Sequence, residues 1–193
     1  MGDDFLALLV ENFPQQRFAE AIFQDKIESK AIRVFKFFTL GTTLGAAESS
    51  LLSHPDRPVA VLLETQSQDV QIIRDLDETA KNRLIRVSPA RERWHVALAI
   101  PRLDAWALTD DHIRQEYDKI RQDPASATDE KGREAIERNN YLNLAARMSS
   151  FVQDRPFDLE NLKRKSRQCR ELCEFIERSF EPVTVPTTTA DWF

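Results

Sequence analysis

The segment Pro58–Asp69, PVAVLLETQSQD, restricts the folds open to this chain more than any other. Val59, Ala60, Val61, Leu62 and Leu63 run without polar interruption into an acid, Glu64, and the polar stretch Thr65-Gln66-Ser67-Gln68-Asp69 then opens a helical pattern. A short strand that is apolar on both sides must be covered on both faces, which is the situation inside a parallel sheet. In such sheets ligands gather beyond the carboxyl ends of the strands, so Glu64 stands at the end where chemistry is usually done.

Three other segments read as strands. Phe5–Val10 (FLALLV) is short and apolar and ends at Glu11-Asn12-Phe13-Pro14; Ala31–Phe38 (AIRVFKFF) is β-branched and aromatic; Trp94–Ile100 (WHVALAI) is halted by Pro101. Between them lie helical periods. One helix is expected from about Pro14 to Ser29, with Ala19, Ile22, Phe23 and Ile27 on one face. A glycine-bearing connection through Gly41 and Gly45 should precede a short helix over Ala46–Ser53, and a polar helix should occupy Val70–Leu84. From Leu103 a single stripe of Leu103, Trp106, Ile113, Tyr117 and Ile120 continues the pattern. Strands alternating with helices predict an α/β domain with a mostly parallel four-stranded sheet flanked by helices.

The character changes after Arg121. Gln122–Lys131 is polar, contains Pro124 and reads as a loop. A C-terminal helical pair is expected beyond it, with Tyr141, Leu144, Ala145, Met148 and Val152 lining the first helix. Leu159, Leu162, Cys169, Leu172, Cys173, Ile176 and Phe180 line the second. Pro182 and Pro186 end regular structure, and the Thr-rich tail is expected to be mobile. The expected division is therefore 1–121 for the α/β domain, 122–181 for a helical extension packed on it, and 182–193 for the tail.

Composition narrows the functional classes. A net charge of −5 argues against indiscriminate nucleic-acid binding. It leaves room for a metal-bridged nucleic-acid site, because acids that hold a divalent cation lower the net charge. Lys163, Arg164, Lys165, Arg167 and Arg170 form a local basic run, either a solvated helix face or a phosphate-binding patch. No apolar run approaches the roughly 20 residues that span a bilayer. Asp3-Asp4 lacks the basic flank of a secretory signal. The two cysteines, Cys169 and Cys173, have no histidine beside them and are expected to pack on one helix face. A reducing cytoplasm is the simplest home.

The candidate chemistry lies in acids at strand ends: Glu11 after the first, Glu64 and Asp69 after the third, Asp104 and Asp110 after the fourth. Parallel neighbours bring these ends together, and converging carboxylates repel unless a cation neutralises them; Mg²⁺ favours such hard oxygen ligands. The alternative is that each acid is an ordinary solvated carboxylate. His54, His95 and His112 pair with no obvious nucleophile, Ser49 and Ser50 lack the context of a nucleophile elbow, and Gly41–Gly45 lacks the lysine of a Walker A loop. Trp94 and Trp106 sit at core spacing.

LLVEN at Leu8–Asn12, VAVLLETQSQD at Val59–Asp69 and IPRLDAWALTD at Ile100–Asp110 resemble the Toprim-like domains of small prokaryotic proteins. That family, with a Rossmann-like fold, shows a strand ending in Val-Glu-Gly, a strand ending in Asp-x-Asp and an Ile-Pro-x-x-Glu-x-Trp segment. The C-terminal helix, with Ser166 amid basic residues, is also similar. Toprim domains belong to topoisomerases, primases, recombination proteins and OLD-type nucleases, where the glutamate serves acid–base chemistry and the Asp pair binds Mg²⁺. The resemblance carries those roles to Glu11 and to Glu64, with Gln66 at the second Asp, Asn12 at the glycine and Asp104 at the later Glu. Gln66 loses a charge, which Asp69 one turn on is the only nearby acid to replace.

The resemblance thus implies a degenerate site in which Glu11, Glu64, Asp69 and Asp104 hold Mg²⁺ weakly or not at all, with Glu11 and Glu64 as catalytic candidates. It implies a partner-binding or nucleic-acid-associated subunit, with DNA, RNA or an ATPase as partner, in DNA processing or phage defence. The competing expectation is an active Mg²⁺-dependent nuclease using the same acids.

Overall fold

The computed structural model describes residues 5–153 and 155–180. Four strands, β1 (Leu6–Val10), β2 (Ile32–Lys36), β3 (Val59–Glu64) and β4 (Trp94–Ala99), form one all-parallel sheet in the order β2-β1-β3-β4. The chain moves outward from β1 to β2, then crosses back over β1 to β3, so the order reverses between β1 and β3. With right-handed crossovers, this reversal puts the β1–β2 connection on one face and the β2–β3 and β3–β4 connections on the other. Helices α1 (Phe13–Ile22) and α2 (Gln24–Glu28) accordingly cover the first face; α3 (Leu40–Ser53) and α4 (Val70–Val87) cover the second.

That arrangement alone would leave β3 and β4 bare on the first face. The rest of the chain covers them. Helices α5 (Leu103–Ala107), α6 (Asp111–Asp118), α7 (Glu130–Gln153), α8 (Leu159–Lys165) and α9 (Arg167–Arg178) supply Trp106, Ile113, Leu144, Met148, Leu172 and Ile176 to the core. Those side chains join Leu8, Leu62 and Ala97 of the sheet. Helix α7 lies along α1, and α9 lies against β4. One continuous core therefore runs across position 121. The opposite face gathers Leu9, Val61, Leu63 and Leu98 with Leu44, Leu51 and Leu84, as the pleat requires of alternate residues.

Several elements divide where the apolar period predicts continuity. The helix expected over Pro14–Ser29 breaks at Phe23 (φ −108°, ψ 26°) into α1 and α2. The stripe from Leu103 splits into α5 and α6 because Asp110 caps the second, accepting from the amides of His112 and Ile113. The expected C-terminal pair is three helices: Ser166 ends α8 and caps α9 through the Cys169 amide. Gly41 and Gly45 lie inside α3, whose start is fixed by reciprocal Thr39–Thr42 bonds of a capping box. Residues 122–129 are the expected connection, with one short 3₁₀ turn at Pro124–Ser126. The tail at 182–193, with Pro182 and Pro186, lies outside the described residues, as do Asp3 and Asp4. Among the described residues no helix is long and apolar enough to cross a membrane.

Candidate functional site

At the reversal between β1 and β3 two strand-end acids face each other across one side chain. Glu11 follows β1 and Glu64 closes β3. Between them stands Gln15, wholly buried in the first turn of α1. The backbone N–H of Glu11 donates to Gln15 Oε1 (2.8 Å), which turns the NH₂ end toward the acids. Gln15 Nε2 then donates to Glu64 Oε2 (3.2 Å) and, at longer range, to Glu11 Oε2 (3.4 Å). Asn12 aims the helix that carries Gln15: its Oδ1 caps α1 by accepting from the Gln15 amide (2.9 Å).

Glu64 is 4% exposed, and both of its carboxylate oxygens are hydrogen-bonded. Its Oε1 accepts from the Leu103 backbone N–H (2.8 Å) and from the Tyr141 hydroxyl (2.8 Å). Burial pushes its carboxyl above the ordinary range, against the pull of those donors and of Gln15; the nearby Asp104 adds to the rise. Burial raises Glu11 in the same way, partly offset by Gln15. The Tyr141 phenol is pushed far upward by burial and by Glu64, so it remains a donor. Tyr141 is also fixed by its ring, 5.4 Å from Phe18 and under the Arg102 guanidinium at 4.9 Å.

Asp104 lies beside this centre but is already paired. Arg102 reaches its Oδ2 at 2.7 Å, and the Ala105 amide donates to its Oδ1. Asp69 serves the start of a helix instead. Exposed at the start of α4, it accepts from the amides of Gln71 and Ile72. Gln66 is exposed with φ 54°, and its amide donates to the Pro101 carbonyl (2.8 Å). Asp110 is buried and structural, since its Oδ2 accepts from the Asp158 amide (2.9 Å) while its Oδ1 caps α6.

Glu11, Glu64 and Asp104 are therefore brought together, and Asp69 is not part of their network. As arranged they do not fit Mg²⁺. An amide NH₂ group holds the space between Glu11 and Glu64, a guanidinium neutralises Asp104, and a divalent ion needs lone pairs rather than donors. Among the described residues no group of three or more His, Cys, Asp and Glu side chains is disposed to hold a metal.

Two members of the basic run are ion-paired. Lys163 pairs with Glu160 (2.9 Å) and Glu177 (3.3 Å), and Arg167 with Glu171 (2.6 Å). Cys169 and Cys173 are free thiols, buried with their sulfurs 4.0 Å apart.

Gln15, Arg102 and Tyr141 are the members that strand-end reasoning misses. Gln15 carries a local signal, four residues after Glu11 in the first turn of the following helix. Tyr141 carries none, because it reaches Glu64 from 77 positions away and reads in sequence as one more apolar helix residue. No protein-family model, curated protein or solved structure matches this chain.

Proposed function

We propose that this chain is a Toprim-like binding subunit in which the strand-end acids form a structural polar centre rather than a nuclease metal site. The observation that carries the reading is the Gln15 amide, donating to both Glu11 and Glu64 where a catalytic cation would have to sit. A buried carboxylate that accepts three hydrogen bonds is held in place by them and has little to gain from a metal. The Arg102–Asp104 pair supports the same reading. DNA, RNA or an ATPase as partner, and a role in DNA processing or phage defence, come from the resemblance of the three strand-end motifs alone.

Calorimetric titration with Mg²⁺ and Mn²⁺ tests the reading, on the wild type beside Glu11→Gln and Glu64→Ala. The expected result is no saturable binding at millimolar metal in any of the three. Saturable binding that disappears in either variant, together with metal-dependent cleavage of single- or double-stranded DNA, would establish the nuclease instead.

A further inference from the structure

The two edges of the sheet are treated differently. Along β4 the outward amide of Leu98 is met by Gln168 Oε1 of α9 (3.4 Å), and α9 lies against the strand. Along β2 no described element does the same. The phase of the β1–β2 ladder is set by the Leu6 N–H bonding Ala31 C=O and the Phe37 N–H bonding Val10 C=O. In a parallel ladder alternate residues bond to the same neighbour, so Arg33 and Phe35 face β1 while the backbone groups of Ile32, Val34 and Lys36 face outward.

A groove flanks this edge on each face of the sheet. On the α1–α2 side lies a space of about 400 Å³ lined by Glu20, Ile27, Lys30, Ile32, Arg33 and Val34. On the α3 side lies one of about 270 Å³ whose walls include Phe35, Phe37, Ala46, Ser50, His54 and Arg57. An added strand points alternate side chains to opposite faces, so its residues would fall into the two grooves in turn. Phe35 remains 39% exposed at the mouth of the second groove.

We propose that the β2 edge is a docking site for an extended acidic peptide segment of a partner protein, added as a fifth strand. The charge selects the occupant. Lys30, Lys36 and Arg57 border the edge, while the one acid lining either groove among the described residues, Glu20, is engaged by Arg17 (3.3 Å) and Gln16 (2.8 Å). A second copy pairing here would bring Lys30 and Lys36 against the same cations, the arrangement by which edge strands resist self-association. The inference rests on the binding-subunit reading and supplies its surface and the kind of partner.

The test is a titration, followed by amide NMR, of the full chain with a short synthetic peptide alternating Glu and Val, beside its Lys-Val counterpart. Saturable shifts centred on Val34, Lys36 and Ala46 with the acidic peptide alone are expected. Val34→Pro removes one outward N–H and should weaken binding about tenfold. The double variant Lys36→Glu/Arg57→Glu, at two half-buried side chains, keeps every outward N–H and should switch the preference to the Lys-Val peptide. No shift at millimolar peptide, or equal binding of both peptides, overturns the proposal. So does tighter binding of oligothymidine at the same residues, or a dimer in ultracentrifugation that Val34→Pro dissolves. The metal titration fails independently: a bound ion would remove the structural-centre reading and leave the peptide result standing.

Discussion

Replacing Tyr141 with Phe removes a single oxygen from the polar centre and leaves the ring between Phe18 and Arg102, so no cavity cost enters. The lost bond is a 2.8 Å hydroxyl-to-carboxylate contact on a group that is 4% exposed. A hydrogen bond to a buried charge contributes about 2 kcal/mol, and one to a neutral acceptor about 1 kcal/mol. The cost of Tyr141→Phe therefore depends on whether Glu64 is ionised. Burial raises Glu64 in the folded protein above its ordinary value of 4.5. Between the ordinary and the raised values the folded state binds more protons than the unfolded, so this group's contribution to stability falls as pH rises through that window. Without the Tyr141 donor, which favours the charged form, Glu64 is raised further and the fall continues to higher pH. The difference between variant and wild type should then grow with pH between the folded-state value of Glu64 in the wild type and its higher value in the variant, from about 1 kcal/mol below that interval to about 2 kcal/mol above it. For a chain of this length each kcal/mol moves Tm by about 2–4 °C, so the gap should widen from about 2–4 °C to about 4–8 °C. Thermal melts of both proteins across that pH range measure it, and subtraction removes other titrations common to the two. A gap that stays constant with pH would refute the argument, because the hydroxyl would then not be sensing the charge on Glu64.

Gln15→Ala should cost about 2–4 kcal/mol by leaving Glu11 and Glu64 without their shared donor. Millimolar Mg²⁺ should raise the Tm of that variant and leave the wild type unmoved; a variant indifferent to Mg²⁺ would mean that the vacated space is no cation position. Asp110→Ala should cost about 2–4 kcal/mol, since it uncaps α6 and strands the Asp158 amide, and denaturant melts with an unchanged slope would measure it. His95 stacks on Phe175 (5.5 Å), its Nε2 buried without a hydrogen-bond partner among the described residues, and burial lowers its pKa to about 4. The unfolded chain takes up that proton near the ordinary value of 6.5, so stability should fall by up to about 3 kcal/mol as pH drops from 6.5 toward 4. His95→Phe should flatten that decline, and an unchanged acid limb would show that another group controls it.

How much of this was legible in sequence depended on whether the signal was local. The unbroken apolar runs at Leu6–Val10 and Val59–Leu63 announced strands covered on both faces, and the sheet is parallel throughout. Helix interruptions at Phe23, Asp110 and Ser166 were hidden because the apolar period carries on across them. Only the caps reveal them, and Asp110 and Ser166 are also ordinary helix-face residues in a periodic reading. The acids Glu11 and Glu64 could be placed at the carboxyl end of the sheet from strand ends alone. Their partners could not, because the phenol that orients Glu64 arrives on α7 by tertiary packing. Asp69 misled for a related reason: an acid just before a helix serves the first turn's amides as readily as a metal.

The strand order explains why so polar a centre can exist in so apolar an interior. Crossing from β2 back to β3 leaves the ends of β1 and β3 side by side with no crossover helix between them, and α1 and α5 enter that gap from the β1 and β4 sides. Each helix start brings unpaired amides. Glu64 takes the Leu103 amide from one, and Gln15 fills the other with a side chain whose acceptor end is fixed by Glu11. An isolated acid in this position would remain protonated or draw in a cation. Here donors from four directions, α1, the start of α5, α7 and Arg102 beside Asp104, stabilise the carboxylates within the protein. The same convergence that makes a switch point a good metal site is thus met here by hydrogen-bond donors from the chain itself.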